Sequence, residues 1–179
     1  MQAPRNPLTV MGSLPYAPVV KTASRLWWDR YLRVQYRLIR LLDPLVRPIW
    51  RTVGLADTEE LIVTGRVTGR PRPVLVGLLL VGGRWYVGHP NGEAAQWVRN
   101  LAAAGRATVR LRDGTATTVR SRPLSPGRER DVVIRATFAQ HPFPGNLVYY
   151  LARRHIADVG AFFRLEPEVP AEPEAARPA

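Results

Sequence analysis

The stretch Thr64-Gly-Arg-Val-Thr-Gly-Arg-Pro-Arg72 decides how the chain is interpreted, because it lies between two apolar segments. The run Leu61-Ile-Val63 precedes it, and the longest apolar run of the chain, Val74–Val81, follows it. A turn punctuated by glycines between two such runs predicts a β-hairpin with a loop of three to five residues.

The turn is unusual because three arginines, Arg66, Arg70 and Arg72, crowd around its glycines. Glycine permits the positive φ that brings backbone N–H groups close to an anion. Guanidinium groups add planar forks of donors that fit phosphate and carboxylate. The pattern therefore predicts an anion site, and a solvated basic hairpin is the alternative. A P-loop is excluded, because no lysine follows Gly69 and the next predicted element is a strand. A dinucleotide fingerprint is excluded for the same topological reason.

Composition limits the classes of function that remain. The chain has 179 residues, enough for one domain with appendages, and its net charge of +12 comes almost wholly from arginine, since Lys21 is the one lysine. This charge favours acidic partners. The absence of cysteine excludes disulfides, a thiolate nucleophile and the usual zinc sites. The three histidines are isolated in sequence and predict no metal site. Nucleic acid is not predicted as a partner, because the aromatic residues do not alternate with arginines on strands.

The N-terminal part divides into a predicted flexible arm over 1–23 and a basic amphipathic helix over 24–54. Ser24 is a plausible N-cap, and Pro44 and Pro48 are expected to end or kink the helix. One face carries arginines at helical spacing, namely Arg30, Arg33, Arg37 and Arg40.

Residues 24–51 are suited to an anionic membrane surface, since aromatic side chains accompany the arginines. Those expected at the headgroup level are Trp27, Trp28, Tyr31 and Tyr36. The alternative is a helix that packs its apolar face on the rest of the protein and leaves its arginines in water. No segment has the length and hydropathy of a membrane span, and the first residues lack a signal-peptide core. We therefore expect a cytoplasmic protein, with peripheral attachment to the inner face of the membrane as the variant.

The region 55–166 is predicted to be an α+β domain, mainly β: a split antiparallel β-barrel of about six strands with flanking helices. The predicted strands are 59–64, 73–81, 84–88, 107–112, 115–121 and 159–165, with hairpin turns at Gly82-Gly83 and Asp113-Gly114. The predicted helices are 93–103 with Asn91 as a cap, 125–140 with Ser125 as a cap, and 147–154. Residues 167–179 are rich in proline, alanine and glutamate and are predicted to be disordered.

The order of motifs resembles that of the deazaflavin-dependent nitroreductase family, also called the deazaflavin-dependent quinone reductases. The resemblance is carried by the arginine turn 64–72, the apolar strand, the Gly-Gly turn and Trp97-Val-Arg-Asn-Leu101, and it covers residues 58–122 best. It implies a split β-barrel related to flavin-binding oxidoreductases. It also implies that the acidic coenzyme F420, a deazaflavin, is bound, with flavin mononucleotide (FMN) as a second choice.

The resemblance assigns residues to the coenzyme by position. Those carried over are Arg66, Val67, Thr68, Gly69 and Arg72 for the phosphate and acidic tail; Pro73, Val74 and Leu75 beside the ring; His89, Pro90, Asn91 and Gly92 in a second loop; and Trp97 and Asn100 in the pocket wall. Val67 stands where the family has lysine, and the second loop is shorter and holds Pro90. From the residues alone, Trp97 is equally explained as a core aromatic and Asn100 as a helix hydrogen-bonding residue. Tyr149 and Tyr150 are candidates for the substrate side, and no catalytic residue is identified.

The function implied by the resemblance is transfer of a hydride from the reduced coenzyme to a small apolar acceptor, which would be quinone-like, a nitro compound or an activated alkene. The alternative is a non-catalytic split-barrel protein that binds a lipid or other apolar ligand. The oligomeric state is left open, and a dimer is compatible with the sequence.

Overall fold

A computed structural model describes residues 23–52, 57–140 and 145–168. The predicted arm over 1–23 and the predicted tail over 167–179 lie almost wholly outside the described residues. The helices are α1 (Ala23–Thr52), α2 (Gln96–Ala104), α3 (Arg128–Gln140), α4 (Gly145–Leu151) and α5 (Arg153–Val159), with a 3₁₀ turn at Gly92–Ala94. The strands are β1 (Thr58–Thr64), β2 (Pro71–Val81), β3 (Arg84–His89), β4 (Arg106–Arg110), β5 (Ala116–Pro123) and β6 (Ala161–Pro167).

The six strands form a closed antiparallel barrel in the order β1-β2-β3-β6-β5-β4, with β1 paired to both β2 and β4. This confirms the predicted fold class. The tight turns arise where glycine adopts positive φ: Gly82 and Gly83 have φ of 57° and 74°, and Gly114 has 91°. The barrel-closing strand β6 lies between β3 and β5.

Two apolar clusters hold the helices on the barrel. The first fills the barrel interior and includes Val98 and Leu101 of α2, so α2 packs against the barrel core. The second joins the barrel to the C-terminal helices, where Phe162 of β6 contacts apolar residues of α3 and α5 such as Val133 and Ile156. α2 contacts β1, β4 and β5, whereas α3 contacts β2.

α1 runs without interruption from Ala23 to Thr52, so the expectation that Pro44 and Pro48 end the helix is wrong. Proline removes one N–H donor and costs a helix about 3 kcal/mol in its interior. Packing offsets that cost: Trp50, beyond both prolines, is 2% exposed, and its Nε1–H donates to the carbonyl of Thr58. The Thr52 hydroxyl also donates to the carbonyl of Pro48. Tertiary contacts therefore carry the helix past both prolines.

Three other local predictions are corrected. α3 begins at Arg128 rather than at Ser125, after Gly127 with φ of 152°. The segment predicted as one helix over 147–154 forms α4 and α5, which meet at Ala152. The helix predicted over 93–103 forms the 3₁₀ turn and α2, and Asn91 makes no side-chain capping hydrogen bond because its side chain is used elsewhere.

Candidate functional site

The arginine turn links β1 to β2 through residues 65–70 and is held by α2. The Arg66 Nη1 donates to Gln96 Oε1 at 2.9 Å and to Asn100 Oδ1 at 3.2 Å. The backbone N–H of Arg66 also donates to Asn100 Oδ1, at 3.3 Å. Asn100 is buried. This amide therefore fixes the backbone and the guanidinium of one turn residue together.

The other predicted turn residues, Val67, Thr68, Gly69 and Arg72, are exposed, and Gly69 has φ of 66°. Several N–H groups of the turn already donate within it: Gly65 N–H to the carbonyl of Arg70, Gly69 N–H to that of Gly65, and Arg70 N–H to Thr68 Oγ1. An anion at this turn would therefore be held by guanidinium groups more than by a backbone nest.

A cavity of about 120 Å³ lies between the barrel, α1, α2 and the C-terminal helices. Four of the residues assigned to the coenzyme line it: Leu75, His89, Pro90 and Trp97. Tyr36 of α1 and Tyr149 of α4 complete its wall. The helices thus supply side chains to a cavity whose floor is formed by β2 and β3.

His89 is a neutral imidazole in this cavity wall. It is 4% exposed, and burial lowers its pKa to about 4. Its Nδ1 accepts the backbone N–H of Asn91 at 3.2 Å, so the proton of the neutral ring is on Nε2. The ring lies 4.2 Å from that of Tyr36 and 6.0 Å from that of Trp97, centroid to centroid. His89 therefore offers one N–H donor within an aromatic wall.

Tyr36 and Tyr149 form a hydroxyl pair with 3.2 Å between the two Oη atoms. Burial raises the pKa of Tyr36 well above its ordinary value, and the neighbouring Tyr149 raises it further. Burial also raises the pKa of Tyr149. Both side chains are therefore phenols at neutral pH. The pair is fixed by α1 and α4 packing over the same cavity.

Tyr36 was expected at the headgroup level of a membrane, and this expectation is wrong because its side chain lines the cavity. Trp28 is likewise packed against the second apolar cluster. The sequence spacing indicates that Tyr36 and Tyr31 do not share a face, because residues five apart lie on different sides of a helix. Of the two substrate-side candidates, Tyr149 lines the cavity, whereas Tyr150 is exposed and lies against the guanidinium of Arg153.

The remaining predicted residues make contacts within the protein. Asn91 Oδ1 is 3.0 Å from His155 Nε2, and its Nδ2 donates to the carbonyl of Asp29 in α1 at 3.5 Å. Gly92 has φ of 51°, and a Cβ there would lie 2.0 Å from the carbonyl oxygen of Val159. These two residues set the path of the second loop.

Val74 and Pro73 occupy the part of β2 between the turn and the cavity. Val74 is half-buried against the interior cluster, and Pro73 is exposed. β2 therefore connects the exposed arginines to the cavity over a few residues. Residues 71–77 of β2 pair with β1, whereas β3 pairs with residues 78–81 of β2.

Comparisons with known proteins support the fold and identify the family. The structure is similar to HutZ, the heme storage protein from Vibrio cholerae, with a TM-score of 0.50 and 16% identity over 72% of this chain and 91% of that one. It is also similar to an F420-H2 dependent reductase, FDR-A, with a TM-score of 0.49 and 17% identity over 62% of this chain and 94% of that one. At 16% identity the likeness to HutZ concerns the fold alone.

No curated protein matches the sequence. The family model of the F420H(2)-dependent quinone reductases does match, over residues 48–143, which is more than half of the chain. The matched span contains the arginine turn, β2, the second loop and α2, and it confirms the family resemblance found in the motifs. The chain belongs to the F420H(2)-dependent quinone reductase family.

Proposed function

We propose that the protein is a deazaflavin-dependent reductase that transfers a hydride from reduced coenzyme F420 to a quinone-like, nitro or activated-alkene acceptor. The observation that carries this proposal is the link between the arginine turn and the cavity. Along β2, Arg72 of the turn is three residues before Leu75 of the cavity wall. At the usual rise of a strand, the two residues are about 10 Å apart. α2 likewise holds Arg66 through Asn100 and places Trp97 in the cavity. A coenzyme with an anionic tail and a flat ring needs these two environments side by side.

The donor set suits the coenzyme. Arg66, Arg70 and Arg72 provide three guanidinium groups on one short turn, and each can pair with a phosphate or a carboxylate in two-pronged fashion. A tail with several carboxylates uses more than one of them, whereas FMN offers a single phosphate group. FMN therefore stays the second choice.

The size of the cavity limits how much of the ring it can enclose. Its volume of about 120 Å³ is below the roughly 300–1,000 Å³ of typical ligand pockets. We therefore expect the ring to enter in part, between Leu75 and Trp97, while the tail lies along the outside of β2. Apolar walls around the reacting end exclude water from it.

When bound, the coenzyme supplies the hydride, and the chain's own residues orient the acceptor and provide polar contacts. His89, neutral at pH 7, would donate its Nε2–H to an acceptor oxygen in the cavity. A positively charged imidazole is not needed for this hydrogen bond, because the neutral ring already carries the proton on the free nitrogen.

The Tyr36–Tyr149 pair would hold the proton that must join the reduced acceptor. The two Oη atoms share one hydrogen bond at 3.2 Å, and with Tyr149 as its donor the O–H of Tyr36 would serve the acceptor. Because both phenols keep their protons well above neutral pH, either can donate to an oxygen that gains negative charge. The proton lost would be replaced from water through the second hydroxyl.

The proposal is tested by a fluorescence titration with oxidised F420 beside a titration with FMN. Replacing Arg66 and Arg72 by Ala should weaken F420 binding at least tenfold, since each charge-assisted hydrogen bond contributes about 1.5–3 kcal/mol. A matched control replaces the exposed Arg112 and Arg128 by Ala, which removes the same charge elsewhere. Equal loss in both variants, or no loss in either, would contradict the proposed site.

Activity is then measured with the reduced coenzyme and a quinone, a nitro compound and an enone. Oxidation of the coenzyme by one of these acceptors supports a reductase. Tight binding of an apolar ligand with no binding of F420 would instead favour the non-catalytic barrel, for which the apolar cavity is the supporting observation.

A further inference from the structure

α1 has two apolar faces, and the barrel covers one of them. On the covered face, Leu32 and Trp50 are each 2% exposed and Tyr36 lines the cavity. The Trp50 Nε1–H bonded to Thr58 and the backbone of Asp29 bonded to Asn91 fix the helix at both ends. The contacts of the covered face therefore set the orientation of α1 on the barrel.

The second apolar face points away from the barrel along the whole helix. Its residues are Trp27, Tyr31, Val34, Leu38, Leu41, Leu45 and Ile49, with exposures between 37% and 75%. Spacings of three and four residues put them in one stripe. At 1.5 Å per residue the stripe is about 33 Å long. Monomeric soluble proteins rarely expose a continuous apolar stripe of this length, and such a surface marks an interaction site.

Arginines border the stripe. Arg30 and Arg37 are exposed three or four residues from members of the stripe, so they lie along its side. Arg33 is exposed too and forms an ion pair with Asp29, which leaves no uncompensated carboxylate among the described side chains of α1. The border is thus basic, in a chain whose net charge is +12.

We propose that this stripe of α1 lies on an anionic phospholipid surface. Apolar side chains would enter the boundary between headgroups and acyl chains, Trp27 and Tyr31 would lie at its level, and the arginines would contact lipid phosphates. A second copy of the chain is a poorer occupant, because pairing two stripes brings together the basic borders of two chains that each carry a net charge of +12. Because the stripe runs along the axis of α1, the helix would lie along the surface. Among the described residues, none of the helices has the length and hydropathy of a membrane span.

The proposal goes beyond the reductase function and does not depend on it. It also differs from the membrane prediction made from the sequence in the residues that make contact. Trp28 and Tyr36 belong to the covered face, whereas the leucines of the outer stripe carry the apolar contact.

The test is co-flotation of the full chain with vesicles of phosphatidylcholine containing one third phosphatidylglycerol, and with vesicles of phosphatidylcholine alone. Leu41→Glu places a charge in the middle of the stripe, and Leu80→Glu places the same charge on β2 at similar exposure, 75% against 68%. We expect Leu41→Glu to weaken binding to the acidic vesicles at least tenfold, and Leu80→Glu to change it less than twofold. Both leucines are exposed, so both variants should fold, and circular dichroism checks this.

Replacing Arg30 and Arg37 by Gln should weaken binding to acidic vesicles about fivefold for each arginine at low salt. This effect should fade as salt rises, because exposed charges are screened. Full-length protein that ignores acidic vesicles at low salt would overturn the proposal. A dimer in sedimentation velocity that Leu41→Glu dissociates and Leu80→Glu leaves intact would also overturn it, in favour of a second copy.

Discussion

The buried imidazole of His89 should make the stability of the protein depend on pH in a way that one substitution removes. Burial lowers its pKa from 6.5 to about 4, so the folded state binds fewer protons than the unfolded chain between these values. Stability is therefore lost as pH falls through this window. A shift of this size corresponds to about 3 kcal/mol at pH 4 and about 2 kcal/mol by pH 5. Because the side chain is only 4% exposed, solvent screening reduces this little.

The perturbation is His89→Asn, whose amide oxygen can still accept the N–H of Asn91 but does not titrate. Urea unfolding of both proteins at pH 7.5, 6.5, 5.5 and 5.0 gives two curves of unfolding free energy against pH. The substitution itself adds a constant cost, while all other titrating groups cancel in the difference. We expect the wild type to lose about 2 kcal/mol more than the variant between pH 7.5 and 5.0. Parallel curves would refute the reasoning, since they would mean that His89 is protonated in the fold or reached by water.

Three further results are expected. Gly92→Ala should prevent stable folding, because its Cβ would lie 2.0 Å from the last carbonyl oxygen of α5. Gly69→Ala, also at positive φ but with open space around it, should cost about 1 kcal/mol of stability. Equal melting temperatures of the two variants would contradict this. Arg110→Ala should cost about 1–3 kcal/mol in urea unfolding, since it removes the 2.7 Å ion pair of the 2% exposed Glu60 carboxylate, and Arg110→Lys should recover part of the loss. Tyr36→Phe should lower the kcat of acceptor reduction at least tenfold while the Kd for F420 stays the same. An unchanged kcat would show that the Tyr36 hydroxyl does not take part in proton transfer.

The strands could be predicted from the sequence because their signals are local. Gly82-Gly83 and Asp113-Gly114 each supply positive φ where a hairpin needs it, and the apolar runs on either side become paired strands. The start of α3 was wrong for the opposite reason. Ser125 and Pro126 match a helix start, but the tertiary fold places Gly127 between them and the first helical residue.

α1 shows where sequence reasoning stops. Its apolar residues cover two faces, and the pattern does not say which face the barrel takes, so Tyr36 was assigned to the wrong one. The helix end expected at Pro44 and Pro48 is not observed, because the burial of Trp50 that offsets the cost of proline could not be deduced from the sequence.

In the candidate site, Leu75, His89, Pro90 and Trp97 of the cavity wall had been assigned to the coenzyme through the family resemblance. The hydroxyl pair could not be predicted, because Tyr36 and Tyr149 are brought together by the packing of α1 on α4.

The position of β6 in the barrel has a consequence for folding during synthesis. Leu165 pairs with Trp85 on one side and Ser121 on the other, so the last strand fills a gap between two strands made much earlier. As the chain leaves the ribosome, β3 and β5 therefore each keep one unpaired edge until β6 is synthesised. Backbone groups and apolar side chains at these edges are exposed to water until then. A nascent chain stalled before residue 161 should be a ready target for chaperones and for aggregation. Because the gap has a fixed register on both sides, a separately supplied β6 segment should be able to enter it and complete the barrel.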